Sequence, residues 1–222
     1  MDPVKNIIYE QFSRITKALA NPVRLELLDL LCQAPRTVEV LAHLIGYSVA
    51  TTSHHLRTLL AARLLITEKR GLYVTYRLAS KDICVFWMAL QQLAQNHLAE
   101  LHLGAEEFVG DSGTLEQVDR TTLLAQLRRG EVTLIDIRPR EEYEAGHLPG
   151  AVSAPFERLE EMLSSLPMDR KIVVYGRGPF CMLSVEAVKI LRRLNRKAMR
   201  MPEGIPQWRA AGLPIEQNLA GC

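Results

Sequence analysis

From Ile172 the chain runs through a short apolar strand, Ile172–Tyr175, a glycine-bearing loop from Gly176 to Cys181, and a helix from about Met182 to Leu194. A strand that turns through glycines into a helix points several backbone N–H groups, and the positive end of the helix dipole, at one place. An anion belongs there. A cysteine at that place has its thiolate stabilised and becomes a nucleophile for sulfane sulfur. Cys181 is the loop's only thiol and the candidate catalytic residue. Gly176, Arg177, Gly178, Pro179, Phe180, Cys181 and Met182 form the candidate anion-binding loop, in which Arg177 supplies a guanidinium. Earlier, the apolar run at Leu134 ends in Asp136 and Arg138, then passes through a short acidic helical turn to a Gly146-His147 reversal. Asp136 and Arg138 read as a pair bracing the loop. His147 reads as a hydrogen-bonding turn residue, and Trp208 as core beneath the final turn.

A second set of residues is suited to nucleic acid. Thr37-x-x-Val40-Leu41-x-x-Leu44-Ile45 spells a short helix that Gly46 ends. Ser48 then caps a helix, SVATTSHHLRTLLAARLL, that is polar at its start and apolar later. A short helix, a tight glycine turn and a second helix make a helix-turn-helix, with the second helix as reader. Ser48, Ala50, Thr51, Ser53 and His54 are expected on bases and backbone, with Arg57, Lys69 and Arg70 on phosphates. His55, leaning toward the core, is expected to be buried and hydrogen-bonded. Residues 65–78 alternate around Arg70-Gly71 as a β-hairpin, the wing.

Other elements must position these groups. Phe12, Ile15 and Leu19 have helical spacing; Asn21-Pro22 caps a second helix carrying Leu25, Leu28 and Leu31. Lys81 to Leu103 reads as a long closing helix with Phe86, Leu90, Leu93, Ala94 and Leu98 on one face. The 222 residues, 48% hydrophobic and 23% charged, are sized for two globular domains. Three glycines and an acidic run break the periodicity near Gly104–Gly113, so the division expected is residues 1–103, a linker at 104–114, and residues 115–222. Residues 1–103 hold 11 Lys+Arg against 8 Asp+Glu; the remainder holds 16 against 17. The positive excess lies with the nucleic-acid half. No apolar run approaches membrane-spanning length and the N-terminus lacks the pattern of a secretion signal, so a cytoplasmic protein with no membrane partner is expected.

On these residues the first half resembles the arsenic-repressor (ArsR) family of winged-helix regulators: KALANPVRLELLDLL, the SVATTSHHLRTLLAARLL helix and the wing carry the likeness over about residues 8–102. The resemblance implies a homodimer built on the first and last helices, placing two reading helices in successive major grooves of a palindromic double-stranded operator. LIDIRPREEYEAGHLP, IVVYGRGPFCMLS and EGIPQWRAAGLPIE resemble the rhodanese domain from about Leu115 to Glu216. The fold class implied is an N-terminal α+β winged helix, mainly helical, followed by an α/β domain with a central parallel sheet flanked by helices. The rhodanese pattern places its nucleophilic cysteine directly after the strand, where this chain has Gly176. Two readings follow: Cys181 does persulfide chemistry alone, or the domain binds a small sulfur species or related oxyanion without turnover. An oxyanion is expected in the space left at Gly176, and Gly176→Cys is expected to restore thiosulfate:cyanide activity.

The ArsR resemblance raises metal sensing. The C-x-C motif of the third helix is absent, since the stretch here is Thr37-Val38-Glu39-Val40-Leu41. In the last helix His97 and Glu100 fit the family's metal pattern, whereas Cys84 and Phe86 stand where Asp and His belong. Cys84, His97, Glu100 and His102 are the set that would have to supply the roughly four ligands of a zinc site; no metal and no cofactor is expected. The four cysteines have no C-x-x-C spacing. Cys32 and Cys84 are candidate sensing thiols, the plainer role for Cys32 being a small core hydrophobe, and Cys222 reads as inert. Together these readings give a dimeric DNA-binding regulator, a repressor, whose second domain senses or handles reactive sulfur. The alternative is a sulfurtransferase acting through Cys181, with the first domain used for dimerisation and targeting.

Overall fold

The computed structural model describes residues 2–98 and 116–218. It divides into two compact units, Met1–Gln91 and Gln92–Cys222. The expected linker at 104–114, together with Glu100, His102 and Cys222, lies outside the described residues.

The first unit comprises helices α1 (Pro3–Leu19), α2 (Pro22–Gln33), α3 (Val38–Ile45) and α4 (Val49–Ala61), strands β1 (Arg36–Thr37), β2 (Leu65–Arg70) and β3 (Tyr73–Leu78), and helix α5 (Lys81–His97), which runs on into the second. Its punctuation is local. Asn21 accepts the Arg24 N–H at 3.2 Å and Pro22 opens α2. Gly46 ends α3 in the left-handed region at φ 70°, which a side chain rarely adopts. The sheet order is β1-β3-β2, all antiparallel. Arg70 pairs with Tyr73, so the hairpin turns on Gly71-Leu72, one residue later than the expected centre, because φ +61° at Gly71 suits the first position of a two-residue turn. Leu27, Leu28, Leu41, Leu56, Leu59 and Leu65 form the core. Helix α5 buries no residue fully: Val85, Phe86 and Leu93 are about half exposed, as are Leu98 just beyond it and Val4, Ile7, Ile8 and Phe12 of α1.

The second unit contains helix α6 (Arg120–Arg128), strand β4 (Val132–Asp136), helix α7 (Arg140–Ala145), strand β5 (Val152–Ser153), a short helix α8 (Leu159–Met162), strand β6 (Lys171–Tyr175), helix α9 (Met182–Arg193), strand β7 (Ala198–Arg200) and helix α10 (Ile205–Ala210). The sheet is parallel in the order β5-β4-β6-β7. One side packs Ile135, Val174, Ala187, Val188 and Leu191; the other packs Leu134, Val173, Tyr175, Ile205 and Trp208. A strand buried on both faces reads as a continuous apolar run, as Ile172-Val173-Val174 does. The carboxyl ends of β4 and β6 lie side by side, Asp136 paired with Tyr175. Open parallel sheets place their ligand sites at that end.

Candidate functional site

The loop after β6 is held from several sides. Gly178 adopts φ +144°, and its carbonyl accepts the Cys181 N–H at 3.1 Å, closing a turn before α9. Cys181 stands at the N-cap of α9. A Cβ built on Gly204 would come within 2.8 Å of the backbone of Gly176 and Arg177, so only glycine allows α10 to start against the loop. Trp208 is buried below and donates to Pro214 O at 2.9 Å.

Position 176 is not an empty pocket. A Cβ there would overlap the Sγ of Cys181 and lie 3.3 Å from its Cβ. The Cys181 thiol therefore fills the space in which an oxyanion was expected, correcting that expectation. The expected outcome of Gly176→Cys changes as well: at 3.3 Å the two Cβ atoms would stand slightly closer than the ~3.5–4.5 Å span of a disulfide, so the new thiol must displace Cys181 or, with a small backbone shift, bond to it. Phe180 and Met182 flank the thiol and are exposed by 40% and 38%.

The loop's charges are committed within the protein. Arg177 turns to Glu142 of α7, with Nη2 to Oε1 at 2.7 Å and Nε to Oε1 at 3.1 Å. Asp136 and Arg138 pair with each other: Nε to Oδ1 is 2.9 Å and Nη2 to Oδ2 is 2.6 Å, both side chains fully buried. Arg138 also donates to Gly146 O at 2.7 Å, and the Tyr175 hydroxyl donates to Asp136 Oδ2 while accepting the Leu148 N–H. Burial, and next the Asp136 charge, raise the Tyr175 phenol well above its ordinary value. His147 stacks on Tyr143 at 3.8 Å, and its Nδ1 lies 2.9 Å from Tyr143 O, a turn contact remote in kind from proton transfer.

Five residues of this site escaped the sequence reading: Glu142, Ser184, Arg200, Gly204 and Gln207, whose Oε1 accepts the Gly204 N–H at 2.9 Å. Glu142 is indistinguishable by pattern from Glu141 and Glu144, whereas Arg200 left a signal, a lone cation in the otherwise apolar run Ala198-Met199-Arg200-Met201. Its guanidinium is buried beneath the loop, donating from Nε to Ser184 Oγ at 2.8 Å and from Nη2 to the Gly178 and Pro179 carbonyls.

In the first unit the reading helix is built as its cap predicts. Ser48 Oγ accepts the Thr51 N–H at 3.1 Å and lies 2.9 Å from Thr51 Oγ1. Thr52, fully buried, donates to Ser48 O at 2.9 Å, while Leu56 and Leu59 anchor the helix. Ser48, Ala50, Thr51, His54 and Arg57 are exposed together, Ser53 is half-buried, and Lys69 is exposed on β2; Arg70 is the last residue of that strand. His55 departs from expectation: its buried Nδ1 has no hydrogen-bond partner among the described residues. Burial, then Arg24 and His54, lower its pKa. The aliphatic packing of α4 draws this edge of the ring inward and leaves Nδ1 without a partner among the described residues. Cys32 is buried and Cys84 half-buried, and neither forms a disulfide among the described residues.

Comparison with known proteins agrees with both halves. The model of bacterial regulatory proteins of the arsR family matches residues 21–67, and that of the rhodanese-like domain matches residues 119–211. The HTH-type transcriptional regulator Rv0324 of Mycobacterium tuberculosis is 38% identical over 214 residues, 96% of this chain and 94% of that protein. A sulfurtransferase of Allochromatium vinosum is 29% identical over 46% of this chain and 94% of its own length, and an arsenical resistance operon repressor of Staphylococcus xylosus is 39% identical over 32% and 67%. The chain belongs to the ArsR family of HTH-type transcriptional regulators, in a form that carries a C-terminal rhodanese-like domain.

Proposed function

We propose that this regulator is a cytoplasmic homodimeric repressor that binds a palindromic double-stranded DNA site and whose rhodanese-like domain takes up a reactive sulfur species. One observation carries the DNA half: the exposed polar start of α4, where Ser48, Ala50, Thr51, His54 and Arg57 stand free of the core while Thr52, Leu56 and Leu59 fix the helix. The apolar faces of α1 and α5 supply the surface that a second copy would cover, and the similarity to an arsenical operon repressor supports the direction of regulation. No helix among the described residues is long and apolar enough to cross a membrane. The test is a fluorescence-anisotropy titration of the full chain against its own upstream region. Affinity should fall steeply with salt and prefer one sequence; binding equal on scrambled duplex would defeat the proposal.

A second reading, an enzymatic one, has its own observation in the Cys181 Sγ that fills the space beside Gly176. Its thiolate attacking the outer sulfur of thiosulfate would form a Cys–S–S⁻ persulfide and break the S–S bond, releasing sulfite. Turnover of thiosulfate and cyanide by the intact chain, lost in Cys181→Ser, would favour this reading over sensing alone.

A further inference from the structure

Arg200 and Arg196 form a natural pair of cases. Both are buried guanidiniums in the rhodanese-like unit, each 7% exposed, and both donate to backbone carbonyls: Arg196 to those of Leu163, Leu166 and Pro167, Arg200 to those of Gly178 and Pro179 and to Ser184 Oγ. Neither takes part in an ion pair among the described residues. A buried charge without a counter-charge is costly, and hydrogen bonds to neutral acceptors offset only part of that cost. Arg196 ties down the turn at Leu163–Pro167, which carries no thiol. Arg200 sits under residues 178–184, and its hydroxyl partner Ser184 in turn donates to the Cys181 carbonyl at 2.6 Å.

We propose that Arg200 is a positioning residue whose missing counter-charge is the anion held by the loop, the Cys181 thiolate and the persulfide it forms. The guanidinium engages the Gly178 and Pro179 carbonyls, so that their negative ends are met, and places a permanent positive charge beneath the loop that carries the thiol. Burial lowers the Arg200 pKa, and the one charge opposing that effect is Cys181. This role rests on the reading that Cys181 carries sulfur, and it explains how a loop whose Arg177 is committed to Glu142 still offers a cation to an anion.

The test follows Cys181 alkylation by iodoacetamide in the full chain, residue by residue by mass spectrometry, as a function of pH. Arg200→Gln should slow the reaction about tenfold at neutral pH, the equivalent of one pKa unit, and leave the alkaline plateau unchanged. Arg200→Lys, which keeps the charge, should stay within about threefold of the wild type, and Arg196→Gln should match it. An unchanged neutral rate in Arg200→Gln, or equal losses in Gln and Lys that extend to the plateau, would overturn the role. Should Arg200→Gln not fold, the thermal stability of Cys181→Ser decides: its deficit against the wild type should widen from pH 6 to pH 9, and a deficit constant with pH overturns the role. Polysulfide labelling separates this from the sulfur-carrier reading. Failure of wild-type Cys181 to take up sulfur defeats that reading, whereas equal uptake by wild type and Arg200→Gln defeats only the role of Arg200.

Discussion

The reading helix and the rhodanese-like loop are both turns that enter a helix, and they are built in opposite ways. At Ser48 everything needed lies on one short stretch, Gly46 to Arg57: a glycine in the left-handed region, a capping hydroxyl, and polar side chains left in solvent. At Gly176–Cys181 the loop is held by Glu142, Ser184, Arg200 and Gly204, all buried and two of them charged, next to the buried Asp136–Arg138 pair at the ends of β4 and β6. A surface that meets a separate molecule can leave its charges hydrated and its affinity open to salt. A site that holds a reactive anion in one place needs fixed charge and excluded water, which only remote residues folded around it can supply. Damage should therefore be severe and confined to the second unit at the loop's supports, and mild at the reading helix.

Arg138→Met tests the severe end. It leaves the Asp136 carboxylate buried without its partner, at a cost of about 3–5 kcal/mol. Urea unfolding should lose its transition from the rhodanese-like unit at low denaturant while DNA affinity persists, because the first unit has its own core. A loss below about 1 kcal/mol would show that the brace is dispensable.

Tyr175→Phe should cost about 1–3 kcal/mol, since it strips a donor from Asp136 and an acceptor from the Leu148 N–H. It also has a pH signature. The folded phenol holds its proton above the ordinary value near 10, so its contribution is fully present below pH 10 and is lost as pH rises beyond it, where the unfolded chain gives up that proton first. Alkaline melting should thus fall more steeply in the wild type than in Tyr175→Phe; parallel curves would contradict the assignment.

Ser48→Ala should lower the stability of the first unit by about 1 kcal/mol through loss of the cap to Thr51. The matching readout is helix content and melting of the first unit, and no change would mean that tertiary packing alone holds α4. Smallest is Arg57→Ala, exposed on α4. It should weaken all duplexes about equally and reduce the salt slope by about one phosphate; a change confined to one base position would move Arg57 from backbone to base contact.

The contrast also explains what the sequence revealed. Cap residues, the glycine stop, helical spacing and strand alternation act over a few positions, so α2, α3, α4 and the wing could be read directly, as could β6 and α9. The edge strands β1, β5 and β7 have only two or three residues each and too little pattern to read. The thiol of Cys181 and its relation to Gly176 were invisible for another reason: a five-residue separation says nothing about whether a side chain folds back over the loop. Glu142 was hidden among like neighbours, and His55 was expected to find a partner that the core does not provide.

The most direct measurement is operator affinity before and after exposure to polysulfide, in the wild type and in Cys181→Ser, with the DNA titrated at fixed salt. The account predicts a sequence-preferring complex that weakens on sulfur uptake in the wild type and is unaffected in Cys181→Ser. A complex insensitive to polysulfide, or one released equally in Cys181→Ser, would contradict the claim that the rhodanese-like loop informs the reading helix.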